Sequence, residues 1–233
     1  MRSPLRIAIA AVAAAVVVAI AGAAIWWFFV REDNQLATNA PAVPTDIAGT
    51  ATSGDPNTYT IISERSEADY FADEKLASLP LPSTAKGSTT AIEGEFHLTA
   101  DGLGLDPAQT SKFTVDLTKL KSDRDMRDHR VQQTLETEQF PTATFTATKV
   151  TGYDASLGAD AEQTLQLTGM LDVHGVQKEV TWDVKAKKQG NVITGLATVK
   201  FAFEDFGMSP PNIGGFVSVQ DHVTLQVQIV AQS

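Results

Sequence analysis

A chain of 233 residues with 28 acidic and 18 basic side chains, a net charge of −10 and no cysteine has several roles closed to it. Without cysteine there is no thiolate nucleophile, thiolate metal site, redox pair or disulfide. The acid excess leaves no basic footprint for nucleic acid and no electrostatic attraction to an anionic leaflet.

Residues 1–6 contain Arg2 and Arg6 and precede an uncharged run from Ile7 to Val30. As a helix, its about 24 residues reach roughly 36 Å, against a bilayer core of roughly 30 Å. Trp26-Trp27-Phe28-Phe29 close the run with an aromatic belt, and the two arginines favour a cytoplasmic N-terminus. The expectation is a transmembrane signal anchor over 7–30, single-pass in the cell membrane, with everything after it extracytoplasmic. The alternative is a signal peptide cut near Ala21-Gly22-Ala23, but a signal core is shorter and ends in small residues. Both readings export the remainder.

Residues 31–57 are rich in Ala, Thr, Pro, Gly, Asn and Asp and show no apolar period. They read as a flexible linker, whose about 27 residues would span roughly 30 Å. Residues 58–233 make one domain, large enough to bury a core without disulfides.

From Tyr59 the apolar period is two. Ile92, Gly94, Phe96 and Leu98 share one face, as do Phe113, Val115 and Leu117. Ala143, Phe145 and Ala147 alternate with threonines. Leu165 to Val173, Val180 to Ala186 and Ile193 to Phe203 alternate likewise, and Val217 to Ile229 does so most cleanly. With Tyr59 to Ile62 this predicts about eight strands, separated by Gly-, Asp- and Asn-containing turns. Strands that are long and one-sided close into an antiparallel barrel, which removes edges and can hold side chains or one ligand inside. Glu64 to Leu76 and Asp123 to Glu136 break the pattern. They predict short helical segments or ordered loops at the barrel mouth, with Ser66 as an N-cap for the first and Ser122-x-x-Asp125 as a capping box for the second.

Chemistry-bearing motifs are few. Asp123 to Arg130 alternates charge, which suits a solvated helix with ion pairs, or a polar lid whose Arg forks grip an anion. His97, His129, His174 and His222 form no paired spacing and read as surface or turn residues. No G-x-S-x-G elbow occurs, and Gly214-Gly215 lacks the rest of a phosphate loop. The chain does not read as an enzyme or a metal protein. The aromatic set on the strand faces, Phe96, Phe113, Phe145, Trp182, Phe201, Phe203, Phe206 and Phe216, is interleaved with Ala143, Ala147, Gly169, Gly195 and Ala197. Large and small residues in alternation leave room for a guest inside a barrel, although a solid core is equally compatible with the pattern.

Leu167 to Val180, L-T-G-M-L-D-V-H-G-V-Q-K-E-V, resembles the L-x-G-x-L-T-[IL]-x-G-V-x-[KR]-x-V hairpin of the YceI-like polyisoprenoid-binding family. Arg127-Asp128-His129-Arg130 followed by Phe140-Pro141-Thr142-Ala143-Thr144-Phe145 resembles its R-D-x-H segment and P-x-x-x-F strand. Asp205-Phe206-Gly207, then Val219-x-Asp221-x-Val223, resembles its closing segment, and Tyr59-Thr60-Ile61 its opening strand. The chain departs from that pattern at Arg130, where a histidine is usual, and at Glu64 to Phe71. The resemblance implies an all-β, eight-stranded antiparallel lipocalin-like barrel, exported and non-catalytic, with a long isoprenoid or similar lipid in its lumen and no other cofactor. It makes Phe96, Phe113, Phe145, Trp182, Phe201, Phe203 and Phe206 candidates for the lumen, and Arg127 and Arg130 candidates for a polar head. A solid-core barrel acting as a surface interaction or sensing module is the alternative.

Overall fold

Alternating side chains on a pleated strand need a covered face, and here the strands cover one another by closing into a ring. The computed structural model describes residues 34–49, 54–76, 83–158, 160–213 and 217–233. The expected anchor, with Arg2 and Arg6, lies outside the described residues, as do Gly214, Gly215 and Phe216. Among the described residues no helix is long and apolar enough to cross a membrane.

The elements in chain order are β1 (Thr58–Ile61), β2 (Glu67–Leu76), β3 (Ser83–Thr89), β4 (Ile92–His97), β5 (Ser111–Asp116), β6 (Lys121–Ser122), α1 (Asp125–Thr134), β7 (Thr142–Thr151), β8 (Gln163–Val173), β9 (Val176–Gln189), β10 (Val192–Ala202), β11 (Asn212–Ile213) and β12 (Val217–Gln232). Every pairing is antiparallel, in the order β1-β4-β5-β7-β8-β9-β10-β12, and Ile61↔Ala231 returns β12 to β1. That is a closed eight-stranded barrel. β2, β3 and β6 prolong the legs begun by β1, β4 and β5, with β2 pairing β12 from Leu76↔Val217 to Glu67↔Gln228.

Residues 64–76 are not a helix. Ser63–Arg65 is one 3-10 turn and the rest is the ten-residue β2. Ala68, Tyr70, Ala72 and Glu74 face the lumen at period two, while outward Phe71 is nonetheless buried. A strand with both faces covered loses the clean alternation that identifies its neighbours. The second expected helix is α1, but Ser122 does not cap it: the N-cap is Arg124, without a side-chain bond. The Ser122 N–H and O–H instead both donate to Asp128 Oδ1 at 2.7 Å.

The barrel has a packed floor at the end where β1 begins. There Tyr59, Ile61, Ile92, Phe96 and Ala231 form one buried cluster. The Tyr59 and Phe96 rings stack 5.2 Å apart at 10°. Burying each ring contributes roughly 2–3 kcal/mol. The other end, where α1 and the 3-10 turn Phe203–Phe206 sit, is the mouth. The latter turn explains Asp205-Phe206-Gly207: Asp205 Oδ2 accepts from Ala202 N–H at 2.9 Å, Phe206 is fully buried, and Gly207 takes a left-handed φ of +69° that ends the turn without a Cβ clash.

The stretch expected as a free linker is strapped to the outer wall over residues 34–49. Asn34 Nδ2 donates to Thr84 O (2.8 Å) near the mouth end of β3. Ala37 is clamped by Gln226, its N–H donating to Oε1 (2.8 Å) and its carbonyl accepting from Nε2 (3.0 Å). Lys185 Nζ donates to Thr38 O, Ala40 N–H donates to Glu162 Oε2, and Gly49 N–H reaches Asn191 Oδ1 in the β9–β10 turn at the floor. Leu196 and Val230 alternate with lumen residues, so they face outward, yet both are buried on this side of the barrel. The apolar residues of this stretch follow no period, which hides the docking from a periodicity argument; hydrogen bonds between its backbone and side chains of the wall hold it.

Candidate functional site: the lumen and its mouth

Between floor and mouth the barrel is hollow. A deep chamber of about 170 Å³ is walled by Phe113, Phe145, Leu171, Trp182, Ala197 and Val227, and presents only apolar surface. A mouth chamber of about 370 Å³ lies under α1, walled by Val131, Leu135, Phe201, Phe203, Val219 and Val223, with Glu74, Arg127 and Arg130 at its rim. Tyr70, Leu117, Leu120, Ala143 and Leu225 line both, so the two chambers meet at that belt.

A run of rings crosses the interior. Phe96 lies 6.1 Å from Phe113, Phe113 6.2 Å from Phe145, and Phe145 meets Trp182 edge-on at 5.8 Å. These rings sit on neighbouring strands because β4, β5 and β7 pair with Gly94 opposite Phe113 and Phe113 opposite Phe145. Phe113, Phe145 and Trp182 give the deep chamber an apolar aromatic wall, suited to hydrocarbon and to no charged group.

Polar chemistry is confined to the mouth. The Arg127 guanidinium grips Glu74 with Nε to Oε1 at 3.2 Å and Nη2 to Oε2 at 3.3 Å, and also pairs with Asp123. Both ends of the Glu74–Arg127 pair are almost buried, at 10% and 12% side-chain exposure. The next residue, Asp128, secures α1 to β6. Burial alone would raise its carboxyl, but the Ser122 bonds and Lys121 Nζ at 3.3 Å hold it below the usual range. The Arg127-Asp128 dipeptide is thereby a double fastening of the mouth helix, one residue to β2 and one to β6. At the belt, burial pushes the Tyr70 phenol well up, so it stays neutral, and its Oη is buried without a hydrogen-bond partner. Trp182 Nε1 is likewise unpaired.

Of the residues expected to line the lumen, Phe113, Phe145 and Trp182 wall the deep chamber, and Phe201, Phe203, Arg127 and Arg130 the mouth chamber. Phe96 and Phe206 line neither. Phe96 belongs to the floor, and Phe206 packs behind Phe201 with centroids 4.7 Å apart. Among the small residues, Ala143, Gly195 and Ala197 face the chambers, whereas Gly169 makes no space. A Cβ there would stand 2.2 Å from Thr146 O and 2.7 Å from the Phe145 ring. Tyr70 and Glu74 escape a helical reading of their segment, though Ala68, Tyr70, Ala72 and Glu74 carry the period-two signal. His129 and His222 are exposed, and His174 occupies the β8–β9 turn. His97, by contrast, is buried at 6% exposure, its Nδ1 2.9 Å from Thr58 Oγ1. Among the described residues no group of three or more His, Asp or Glu stands together as a metal site.

Solved structures share this architecture. One is BcnA of Burkholderia cenocepacia, with a TM-score of 0.56 and 16% identity over 74% of this chain and 99% of that one. Another is a polyisoprenoid binding domain from Saccharophagus degradans, with a TM-score of 0.55 and 14% identity over 75% and 98%. A third is the YCEI protein of Campylobacter jejuni, with a TM-score of 0.51 and 21% identity over 68% and 90%. At such identities the likeness is one of fold. No curated protein matches the chain. The family model of the YceI-like domain matches residues 59–231, the whole barrel from its first strand to its last, and the chain belongs to that family.

Proposed function

We propose that this protein holds an isoprenoid or similar long-chain lipid in the lumen of its barrel, without catalysis, while a membrane anchor over residues 7–30 keeps the domain on the extracytoplasmic face. The observation that carries the reading is the pair of adjoining chambers that share a belt of lining residues. The deep one presents only apolar surface, and the Glu74–Arg127 ion pair stands at the rim of the mouth chamber. Pockets of about 300–1,000 Å³ suit single organic ligands, and the mouth chamber by itself falls in that range. A solved relative is described as a polyisoprenoid binding domain, which agrees in kind.

The energetics limit what such a site does. Burying about 800 Å² of hydrocarbon is worth roughly 20 kcal/mol against water. The competing environment for an anchored protein is the bilayer, as apolar as the lumen. Selectivity must come from chain shape and from the rim. Arg127 already serves Glu74 and Asp123, so an anionic head there would compete with two carboxylates. Lipid extraction and mass spectrometry of the full chain, purified from its host's membranes in mild detergent, test the reading. A stoichiometric prenyl or long-chain lipid is expected. A lipid-free protein would favour the alternative of a surface interaction module.

A further inference from the structure

The strap decides which end of the barrel is tethered. β1 begins at the floor, so a free linker would hang the domain from its closed end. Instead the chain arrives at Asn34 beside Thr84, near the mouth, and reaches the floor only at Gly49 beside Asn191. Three residues, Arg31 to Asp33, separate Asn34 from the last residue of the apolar run, Val30. That is a reach of at most about 14 Å from Val30 to Asn34 even when fully extended.

We propose that the strap presents the mouth of the barrel to a phospholipid leaflet, and that α1 rests on the leaflet's headgroup layer beside the tether. The inference stands on the reading of 7–30 as a membrane span. A second observation supports it. Met126 is 84% exposed on α1 at the rim of the mouth chamber, while no other large hydrophobic among the described residues exceeds 47%. It stands between Arg124 and Arg130. The stretch Asp123 to Arg130 carries three aspartates as well as three arginines, so the contact with the leaflet rests on the exposed thioether and not on net charge. The floor loops also show Leu103, Tyr153 and Leu157, each about half as exposed as Met126, but the tether does not emerge there. With the mouth against the leaflet, a lipid tail passes from bilayer to lumen without crossing water. The strap is then the feature that lets an anchored barrel load from its own membrane.

The chain has no native cysteine, so single labels are clean. The full chain carrying Met126→Cys at the mouth or Gly158→Cys at the floor, where a Cβ meets open space, is labelled with a fluorophore. It is reconstituted into phosphatidylcholine–phosphatidylglycerol vesicles containing a headgroup-spin-labelled quencher lipid. Several-fold stronger quenching at 126 than at 158 is expected. Loosening the strap with Gln226→Ala and Asn34→Ala should level the two. Equal or reversed quenching in protein that floats with the vesicles overturns the orientation and leaves the anchor standing. A preference for 126 that survives the loosened strap overturns the strap's part in it. Protein that fails to float with the vesicles removes the anchor, and with it this proposal.

Discussion

Arg127 closes on Glu74 with two parallel contacts, Nε–Oε1 at 3.2 Å and Nη2–Oε2 at 3.3 Å, and so ties the mouth helix to β2 across the rim of the lumen. Removing one partner of a nearly buried pair leaves the other uncompensated, at about 3 kcal/mol. Replacing both with apolar groups avoids that cost. Arg127→Met is therefore expected to lower the unfolding free energy by about 3 kcal/mol, and Glu74→Leu with Arg127→Met to recover most of the loss. Denaturant unfolding of the four species forms a double-mutant cycle that checks it. Equal losses in the single and double variants would show that the pair does not act as a unit.

Ala143 lies in the belt common to both chambers, opposite Val115 on β5. A large ring at this position divides the lumen without touching the floor cluster. Ala143→Phe should cost about 1–3 kcal/mol from overpacking and still fold. Its long-chain lipid occupancy should fall by at least about tenfold, a differential of about 1.4 kcal/mol. A short chain that fits the mouth chamber alone should still bind. Native mass spectrometry of the loaded protein measures both. Undiminished long-chain occupancy would place the ligand elsewhere.

The barrel was readable because most of its strands have only one covered face. In β12 the alternation of Val223, Leu225, Val227 and Ile229 with polar partners is nearly complete, and the ring closes on that strand. β2 was not readable, because its outer face is covered as well as its inner one: Phe71 and Asp69, which alternate with the lumen residues, are both buried. The site was half readable for a related reason. Periodicity gives the face on which a side chain lies but not its height along the axis. Phe96 and Phe113 share an alternation rule, yet one is floor and the other lumen wall. Gly169 and Gly195 are indistinguishable in sequence. One is small because Phe145 and a neighbouring backbone fill the place; the other lines the deep chamber, where a Cβ would stand 3.2 Å from Ile229.

Asp69 faces the outer wall, is buried, and shares Lys86 with Glu67 at 3.0 and 2.9 Å. Burial first, and then the Glu67 carboxylate, push the Asp69 carboxyl up to about 7, while Lys86 opposes them. Glu67 is held low by the Asp69 and Lys86 hydrogen bonds and changes nothing above pH of about 5. A folded value above the unfolded 3.8 means the contribution of Asp69 is fully present below about pH 4 and is lost as pH rises through about 7. Asp69→Asn keeps the shape and removes the proton. The variant should match the parent Tm near pH 4 and exceed it near pH 8 by a few degrees, about 2–4 °C per kcal/mol for a domain of this size. Parallel thermal unfolding curves at both pH values, with an unchanged gap between the proteins, would refute the assignment.

Gln226 is 2% exposed and spends its side-chain amide on the strap, with both polar groups of Ala37 and the Thr198 hydroxyl as partners. No apolar period in residues 34–49 would hold them to the wall unaided, so this clamp fixes the register of the strap above Leu196 and Val230. Gln226→Ala strands the Ala37 N–H and C=O beneath cover, at a cost of about 1–3 kcal/mol for each group that water does not rescue. Because the strap is peripheral, the loss should appear as local opening rather than global unfolding. Hydrogen exchange at Ala37 and Ala40 is expected to accelerate by at least about tenfold, equivalent to about 1.4 kcal/mol, while amides of β8 and β9 keep their protection. Acceleration spread evenly through the barrel would mean that the strap unfolds only with the whole domain, and that the wall beneath it cannot stand alone.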